Sequence, residues 1–280
     1  MLSYRHGFHA GNFADVFKHI LLCRLVQSLL GKDKPFFYLD THAGAGRYDL
    51  TSVMAKKNRE FNGGISRLWE KADAPEVVRE YLAVVRAINP TEELQAYPGS
   101  PLFVRHFLRP ADRMMLCELH SKDAEYLKEE FARDRQVSVQ MLDGYHGLKA
   151  YLPPIQRRGL VLIDPAFELK DERARLLEAL TEAYKRWSGG IYAVWYPIQD
   201  RQTVDWFHRQ LIRSGIRNIL SAELKIVDEE MPLRMNGTGM IIVNPPWQLD
   251  GQLEAFGPWL WQALSQQGQG GFKLNWLVPE

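Results

Sequence analysis

The sequence predicts an α/β protein: a doubly wound, mostly parallel sheet with helices on both faces and a small helical subdomain inserted after the first strand. Three observations carry that prediction. Short, nearly continuous apolar runs recur along the chain, as strands covered on both faces require. Segments of helical periodicity and ordinary crossover length separate the runs. The runs end in acids and glycines, which belong beyond the carboxyl ends of such a sheet, where its ligands bind. With 280 residues and 46% apolar content, the chain has material for one substantial core, or for two small ones sharing an interface.

Residues 14–30, ADVFKHILLCRLVQSLL, place apolar side chains at helical intervals, with Asn12 or Asp15 available to satisfy the first free amides. FFYLD then reads as a short buried strand closing at Asp40, followed by the glycine-rich turn THAGAGRY. From 49 to 97 the pattern is mostly helical, with an amphipathic stretch over 75–88. This assigns 1–48 and 98–280 to one sheet domain and 49–97 to the insert. Strands resume at 113–119 (RMMLCEL), 137–143 (VSVQMLD) and 159–164 (GLVLID), with helices between them. IYAVWYP at 191–197, a helix over 203–214, strands over 216–226 and 239–245, an apolar helix and the closing FKLNWLV continue the alternation.

Lys plus Arg (35) nearly balances Asp plus Glu (34), which disfavours a broad polyanion-binding surface and leaves such binding to a local cleft. The first 19 residues do hold a local excess: Arg5, His6, His9, Lys18 and His19 face Asp15 alone. No apolar run approaches the ~18 residues of a membrane-spanning helix, and MLSYRHGFHAG lacks the apolar stretch of a secretory signal, so the expected location is the cytoplasm. Cys23 and Cys117 are too few for a disulfide framework and read as reduced, buried thiols. The irregular spacing of His6, His9 and His19, with no acid cluster nearby, does not suit a metal, and none is expected.

The chemistry is concentrated at strand ends. Asp40, Gly44 and Gly46 form D-x-x-x-G-x-G, whose glycines let the backbone turn sharply and approach a ligand. A dinucleotide fingerprint would place a third glycine where Asp49 stands, which weakens a nicotinamide reading. Glu118 ends the next strand and suits the two hydroxyls of a ribose. Asp143 and Gly144 end the third, where a carboxylate or backbone group can meet an adenine's exocyclic amine. Each also has an ordinary reading, as a tight turn, a helix cap or an Asp-Gly turn. Their convergence on one crevice is what raises them above it.

In order and spacing these ends resemble class I S-adenosylmethionine-dependent methyltransferases, where they hold methionine, ribose and adenine in turn. The resemblance extends to the fourth strand, since amino-methyltransferases similar to this chain end it in [Asp/Asn/Ser]-Pro-Pro-[Tyr/Phe/Trp]. Asp164, Pro165 and Phe167 fill the first, second and fourth places, and Ala166 departs from the third. Such a motif suits an adenine N6, whose lone pair is conjugated with the ring. The Asp164 carboxylate and the Pro165 carbonyl would each accept one N–H, favouring a more tetrahedral, nucleophilic nitrogen. Phe167 would stack on the extruded base, a contact of about 1–3 kcal/mol. A second match, Asn244, Pro245, Pro246 and Trp247, fits the pattern literally but lies on a late strand, and reads as a strand terminator with a packing tryptophan.

The likeness narrows at MLSYRHGFHAGNFADVFKHILL, FYLDTHAGAGRY, YPGSP, RRGLVLIDPAFE, GIYAVWYP and the terminal WLVPE, and it spans nearly the whole chain. These stretches resemble the bacterial 23S rRNA adenine-N6 methyltransferase J family. The resemblance implies methyl transfer from S-adenosylmethionine, giving S-adenosylhomocysteine, to a specific adenine of 23S rRNA, free or partly assembled, by a monomer. It implies cofactor contacts at His19, His42, Gly44, Ser100, Glu118, Asp143, Gly144 and Asp164, and an RNA contact at Tyr4. Lys18 is added as a candidate for a phosphate or for the site entrance. Three other readings remain: a DNA adenine-N6 methyltransferase, a catalytically lapsed RNA-binding assembly factor and a nicotinamide oxidoreductase.

Overall fold

The computed structural model describes residues 5–227, 235–265 and 267–280. After one 3-10 turn at His6–Phe8, helix α1 (Phe13–Leu30) is capped by Asn12, whose side chain accepts the Asp15 amide. Of the two residues expected to cap it, Asp15 turns to other partners. Strand β1 (Phe37–Asp40) leads into the glycine turn, and β2 (Arg47–Asp49) leaves it. The helical excursion follows as α2 (Val53–Asn58), α3 (Ile65–Leu68) and α4 (Glu76–Ala87), and returns through β3 (Ala96–Pro98), which pairs antiparallel with β2. The stretch read as an insert therefore leaves and re-enters through a two-stranded ribbon. Its buried Ile65, Leu68, Val78, Tyr81 and Leu82 belong to the same apolar cluster as α1, so it has no separate core.

The main alternation runs α5 (Ser100–Phe107), β4 (Arg113–Cys117), α6 (Ser121–Glu130), β5 (Val137–Gln140), α7 (Gly144–Tyr151), β6 (Gly159–Ile163) and α8 (Glu172–Arg186). It continues through β7 (Ile191–Ile198), α9 (Arg201–Arg213), β8 (Ile219–Lys225), β9 (Gly237–Val243), α10 (Leu249–Leu264) and β10 (Gly271–Val278). These strands form one eight-stranded sheet in the order β10-β8-β9-β7-β6-β1-β4-β5. From β7 to β5 every pairing is parallel, whereas β9 lies antiparallel between β7 and β8, and β10 antiparallel to β8. That is the doubly wound, mostly parallel sheet the sequence predicts.

Strand alternation shows how both faces are covered. Leu160 and Leu162 of β6 join a cluster with α1, α4, α5 and α10, while Val161 and Ile163 join one with α7, α8 and α9. A strand buried on both faces has no polar position until it leaves the sheet, which is why GLVLI is apolar throughout and Asp164 comes first after it. Register then aligns the ends: Asp40 pairs with Leu116 of β4 and with Leu162 of β6. Glu118 and Asp164 consequently emerge just beyond the same edge as the glycine turn.

Candidate active site

A cleft of about 940 Å³ opens at that edge, and all of the cofactor contacts that the resemblance implies line it, together with Lys18, Pro165 and Phe167. Tyr4 lies outside the described residues. At the turn, Gly44 adopts φ +64°, and a Cβ there would meet the Tyr48 hydroxyl at 2.1 Å. A side chain would thus fill the turn that brings the backbone to the cleft. Gly144 is excluded from substitution differently, since its Cβ would lie 2.2 Å from the Thr41 carbonyl oxygen, where α7 begins against the end of β1.

The carboxylates at the four ends have distinct partners. Asp40 is fully buried, and its Oδ2 accepts the hydroxyls of Tyr38 and Ser100, both at 2.7 Å. Burial nonetheless pushes its carboxyl up to about 6. Glu118 accepts the Gly44 amide at 2.8 Å and the His120 amide at 2.7 Å, so it fastens the glycine turn to β4 while its remaining lone pairs face the cleft. Burial raises its carboxyl against those two donors. Asp143 caps α7 through the amides of Tyr145 at 2.9 Å and His146 at 3.2 Å. Its cap role and its place in the cleft coexist, because a carboxylate has more acceptor sites than those two amides occupy.

Two histidines also line the cleft, His42 from the glycine turn itself and His19 from α1. His42 contacts the Thr41 hydroxyl at 2.8 Å and stands edge-on to Tyr145, and burial lowers it to about 4 despite Asp164 and Asp143. It is therefore neutral at physiological pH. Its folded value lies below the unfolded one, so the unfolded state takes up its proton first and stability falls as pH drops from 6.5 towards 4. We expect His42→Gln to flatten that part of the stability profile, measured as urea midpoints between pH 7 and 4. His19 on α1 places Nδ1 2.8 Å from the Tyr97 hydroxyl, which lies 3.0 Å from the Tyr81 hydroxyl. The ribbon and α4 thus orient a ring at the cleft floor. Its Nε2 is buried without a hydrogen-bond partner among the described residues, a costly arrangement that a ligand polar group would relieve.

Lys18 departs from expectation. Only 4% exposed, its Nζ lies 2.6 Å from Asp164 Oδ2 and 2.9 Å from Asp15 Oδ1, with Trp195 beside it at 5.9 Å. Asp15 in turn accepts the Gly11 amide at 2.9 Å and contacts His6 Nε2 at 2.8 Å. Burial opposes the lysine's charge, but Asp15 and Asp164 hold its ammonium well above the ordinary lysine range. It is a permanent cation clamped between two carboxylates and has no freedom to meet a phosphate. From sequence, Asp15 is offered only as a helix cap and Trp195 is given no role, so neither is placed at the site. The Asp15–Lys18 spacing of three on a helix was the available signal, though it usually marks a surface pair.

Phe167 sits in the cleft at φ +52°, with the Trp195 ring at 5.7 Å and 63° to it. The rival Asn244 is elsewhere: because β9 is antiparallel, with Val243 opposite Tyr192, Asn244 leaves the sheet at the amino end of β7. Its side-chain amide donates to the carbonyls of Ser188 at 2.8 Å and Gly190 at 2.7 Å. Trp247 is 88% exposed, which corrects the expectation of a packing tryptophan. Asn244→Ala should lower thermal stability by about 1–2 kcal/mol while leaving turnover within twofold, checked by urea melts and initial rates.

The profile of the family described as "Ribosomal RNA large subunit methyltransferase D, RlmJ" matches residues 33–278. The chain is 46% identical over 280 residues to Ribosomal RNA large subunit methyltransferase J of Escherichia coli, and the match covers both chains completely. It is 44% identical over 281 residues to the protein of the same name from Haemophilus influenzae, again over both full lengths. A crystal structure of a Legionella pneumophila protein matches with a TM-score of 0.89 and 36% identity, covering 95% of this chain and 98% of that one.

Proposed function

Because this chain belongs to the ribosomal RNA large subunit methyltransferase J family and is an S-adenosylmethionine-dependent rRNA methyltransferase, we propose that its acceptor is the N6 amine of an adenine in 23S rRNA. The observation that carries the reading is the Asp164 carboxylate at the cleft, held through one oxygen by Lys18 beside Pro165 and Phe167.

The cleft fits the methyl donor on its own chemistry. Gly44 supplies a turn with no side chain, His19 Nε2 awaits a polar partner, and Glu118 and Asp143 stand where ribose and adenine polar groups would be read. His42, Ser100 and Gly144 complete that lining. S-adenosylmethionine supplies an electrophilic methyl carbon bound to a positively charged sulfur.

The residues of the chain do the rest by positioning. Lys18 occupies Asp164 Oδ2, which leaves Oδ1 to accept one N6 hydrogen, and the Pro165 carbonyl accepts the other. Both acceptors draw the amine out of conjugation and aim its lone pair into the cleft. Phe167 stacks on the extruded ring, with Trp195 limiting its movement. A strong base is unnecessary, since the methylated amine is acidic and loses its proton after transfer. Lys18 also keeps Asp164 from being an uncompensated charge in a part-buried site.

Free or partly assembled 23S rRNA, a monomeric enzyme and a cytoplasmic location complete the reading; no helix among the described residues is long and apolar enough to cross a membrane. The 49–97 excursion is read as a subdomain whose outer face borders the RNA. The test is to incubate the chain with labelled S-adenosylmethionine and unmodified 23S rRNA, then digest the product. Label in N6-methyladenosine at one position is expected, and label on another base or atom would overturn the reading. Ala166→Pro should change turnover by less than about fivefold, because a Pro for Ala exchange at a compatible site is an effect of only ~0.4–1 kcal/mol.

A further inference from the structure

Among the described residues, one cation beside the Asp164–Phe167 loop forms no ion pair. Arg173 lies in the first turn of α8, six residues beyond Phe167, and its guanidinium carbon sits 5.1 Å over the Phe167 ring. Its Nε is buried and has no hydrogen-bond partner among the described residues. Neighbouring arginines are placed otherwise. Arg175 reaches Asp143 at 3.5 Å, and Arg201 is held by Asp205 and Glu223, both at 2.7 Å. For Arg173, burial lowers the guanidinium from the ordinary arginine range, and the Asp200 carboxylate offsets this only in part. Burying a guanidinium N–H without an acceptor is costly, a cost that an anion bound from outside the chain would reduce.

We propose that Arg173 binds a backbone phosphate of the RNA strand next to the acceptor nucleotide, and that its stacking on Phe167 couples this grip to the seating of the base. A planar guanidinium is suited to both tasks at once, since its face lies on an aromatic ring while its edge makes paired hydrogen bonds to a phosphodiester. The chain's near-zero net charge makes such single contacts matter more than they would on a basic surface. This inference rests on the reading that Phe167 faces the acceptor base.

The test uses the full-length chain with Arg173→Gln, Arg173→Lys and, as a charge-matched control, Arg213→Gln on the exposed side of α9. Binding to an unmodified 23S rRNA transcript is titrated against salt in the absence of methyl donor, alongside steady-state methylation and cofactor titrations. For Arg173→Gln, the slope of log affinity against log salt should shrink by about 0.7–0.9, one phosphate's worth. Affinity for RNA should fall about 5–10-fold at physiological salt, with KM for RNA rising more than kcat falls and cofactor affinity unchanged. Arg173→Lys should restore the slope, because it keeps the charge, yet recover KM only partly, because it cannot stack and fork. It also keeps the test decisive should the glutamine variant fail to fold. Arg213→Gln should leave the slope at the native value. A native slope in Arg173→Gln, or a slope that lysine does not restore, would sink the proposal; so would a selective loss of cofactor affinity, which would make the anion the cofactor's own carboxylate. Because the titration requires no methyl transfer, a wrong acceptor atom shows in the mapped product and leaves this measurement independent.

Discussion

Asp164→Ala should abolish methyl transfer, lowering the single-turnover rate by at least about a thousandfold. Removing one preorganised hydrogen-bonding group from a transition state typically costs about 10²–10³ in rate. Here the same substitution also frees the Lys18 ammonium, 2.6 Å away, to compete for the acceptor amine's surroundings. Asp164→Asn should be nearly as severe despite its similar shape. A single amide oxygen serves either Lys18 or the N6 hydrogen, and the amide nitrogen would direct a donor at a donor. RNA affinity should change less than tenfold in both variants, since strand binding rests on backbone contacts. Rates within tenfold of native, measured with saturating cofactor, would remove Asp164 from the centre of the chemistry.

Lys18→Met should destabilise the fold by about 3–5 kcal/mol at neutral pH, the usual cost of leaving buried charge without its partner. Methionine matches the lysine stem in volume, so the loss reports charge more than packing. The sign of the pH dependence separates this from a simple cavity. In the native protein burial opposes the Asp15 carboxylate, but His6 and Lys18 hold it well below the ordinary range. Its stabilising contribution is therefore present above the unfolded value of 3.8 and lost only as pH falls below that. Without Lys18, burial dominates and raises the carboxyls facing the gap. The folded variant then takes up a proton more readily than the unfolded chain, so its stability relative to native should recover as pH falls from 7 to 5. Urea midpoints at the two values decide it: a deficit independent of pH would show that the clamp contributes through packing alone. Methyl transfer should fall at least a hundredfold, because Asp164 loses the contact that orients it.

The sheet and its functional edge were largely legible before any coordinates. GLVLI and FYLD are buried on both faces, so their composition is set by the strand itself, and the first polar residue marks where each strand stops. Asp40, Glu118 and Asp164 follow this rule, whereas Asp143 ends the edge strand VSVQ, which is polar and exposed at alternate positions, and is marked instead by the Asp-Gly pair that follows that strand. NPPW was the harder case, since its letters fit the motif better than DPAF does. Only the antiparallel course of β9 sends Asn244 to the opposite edge and leaves Trp247 in solvent. Local sequence holds no record of strand direction.

What the sequence by itself determined is therefore everything governed by near neighbours: the alternation of strand and helix, the glycine turn, the acids that close each strand and the DPAF loop. Tertiary structure alone decided which distant groups share a charge or a ring. Lys18 and Asp164 are 146 residues apart, and His19 and Tyr97 are 78 apart. Periodicity showed that residues 14–30 form a helix, but the first three turns of α1, Phe13 to Cys23, are buried all round, Lys18 and His19 included, so the pattern there could not say which face met β6. Lys18, read as a candidate for a phosphate or for the site entrance, is instead the buried counter-ion of Asp15 and Asp164, because burying two carboxylates demands a cation and this one lies within reach of both.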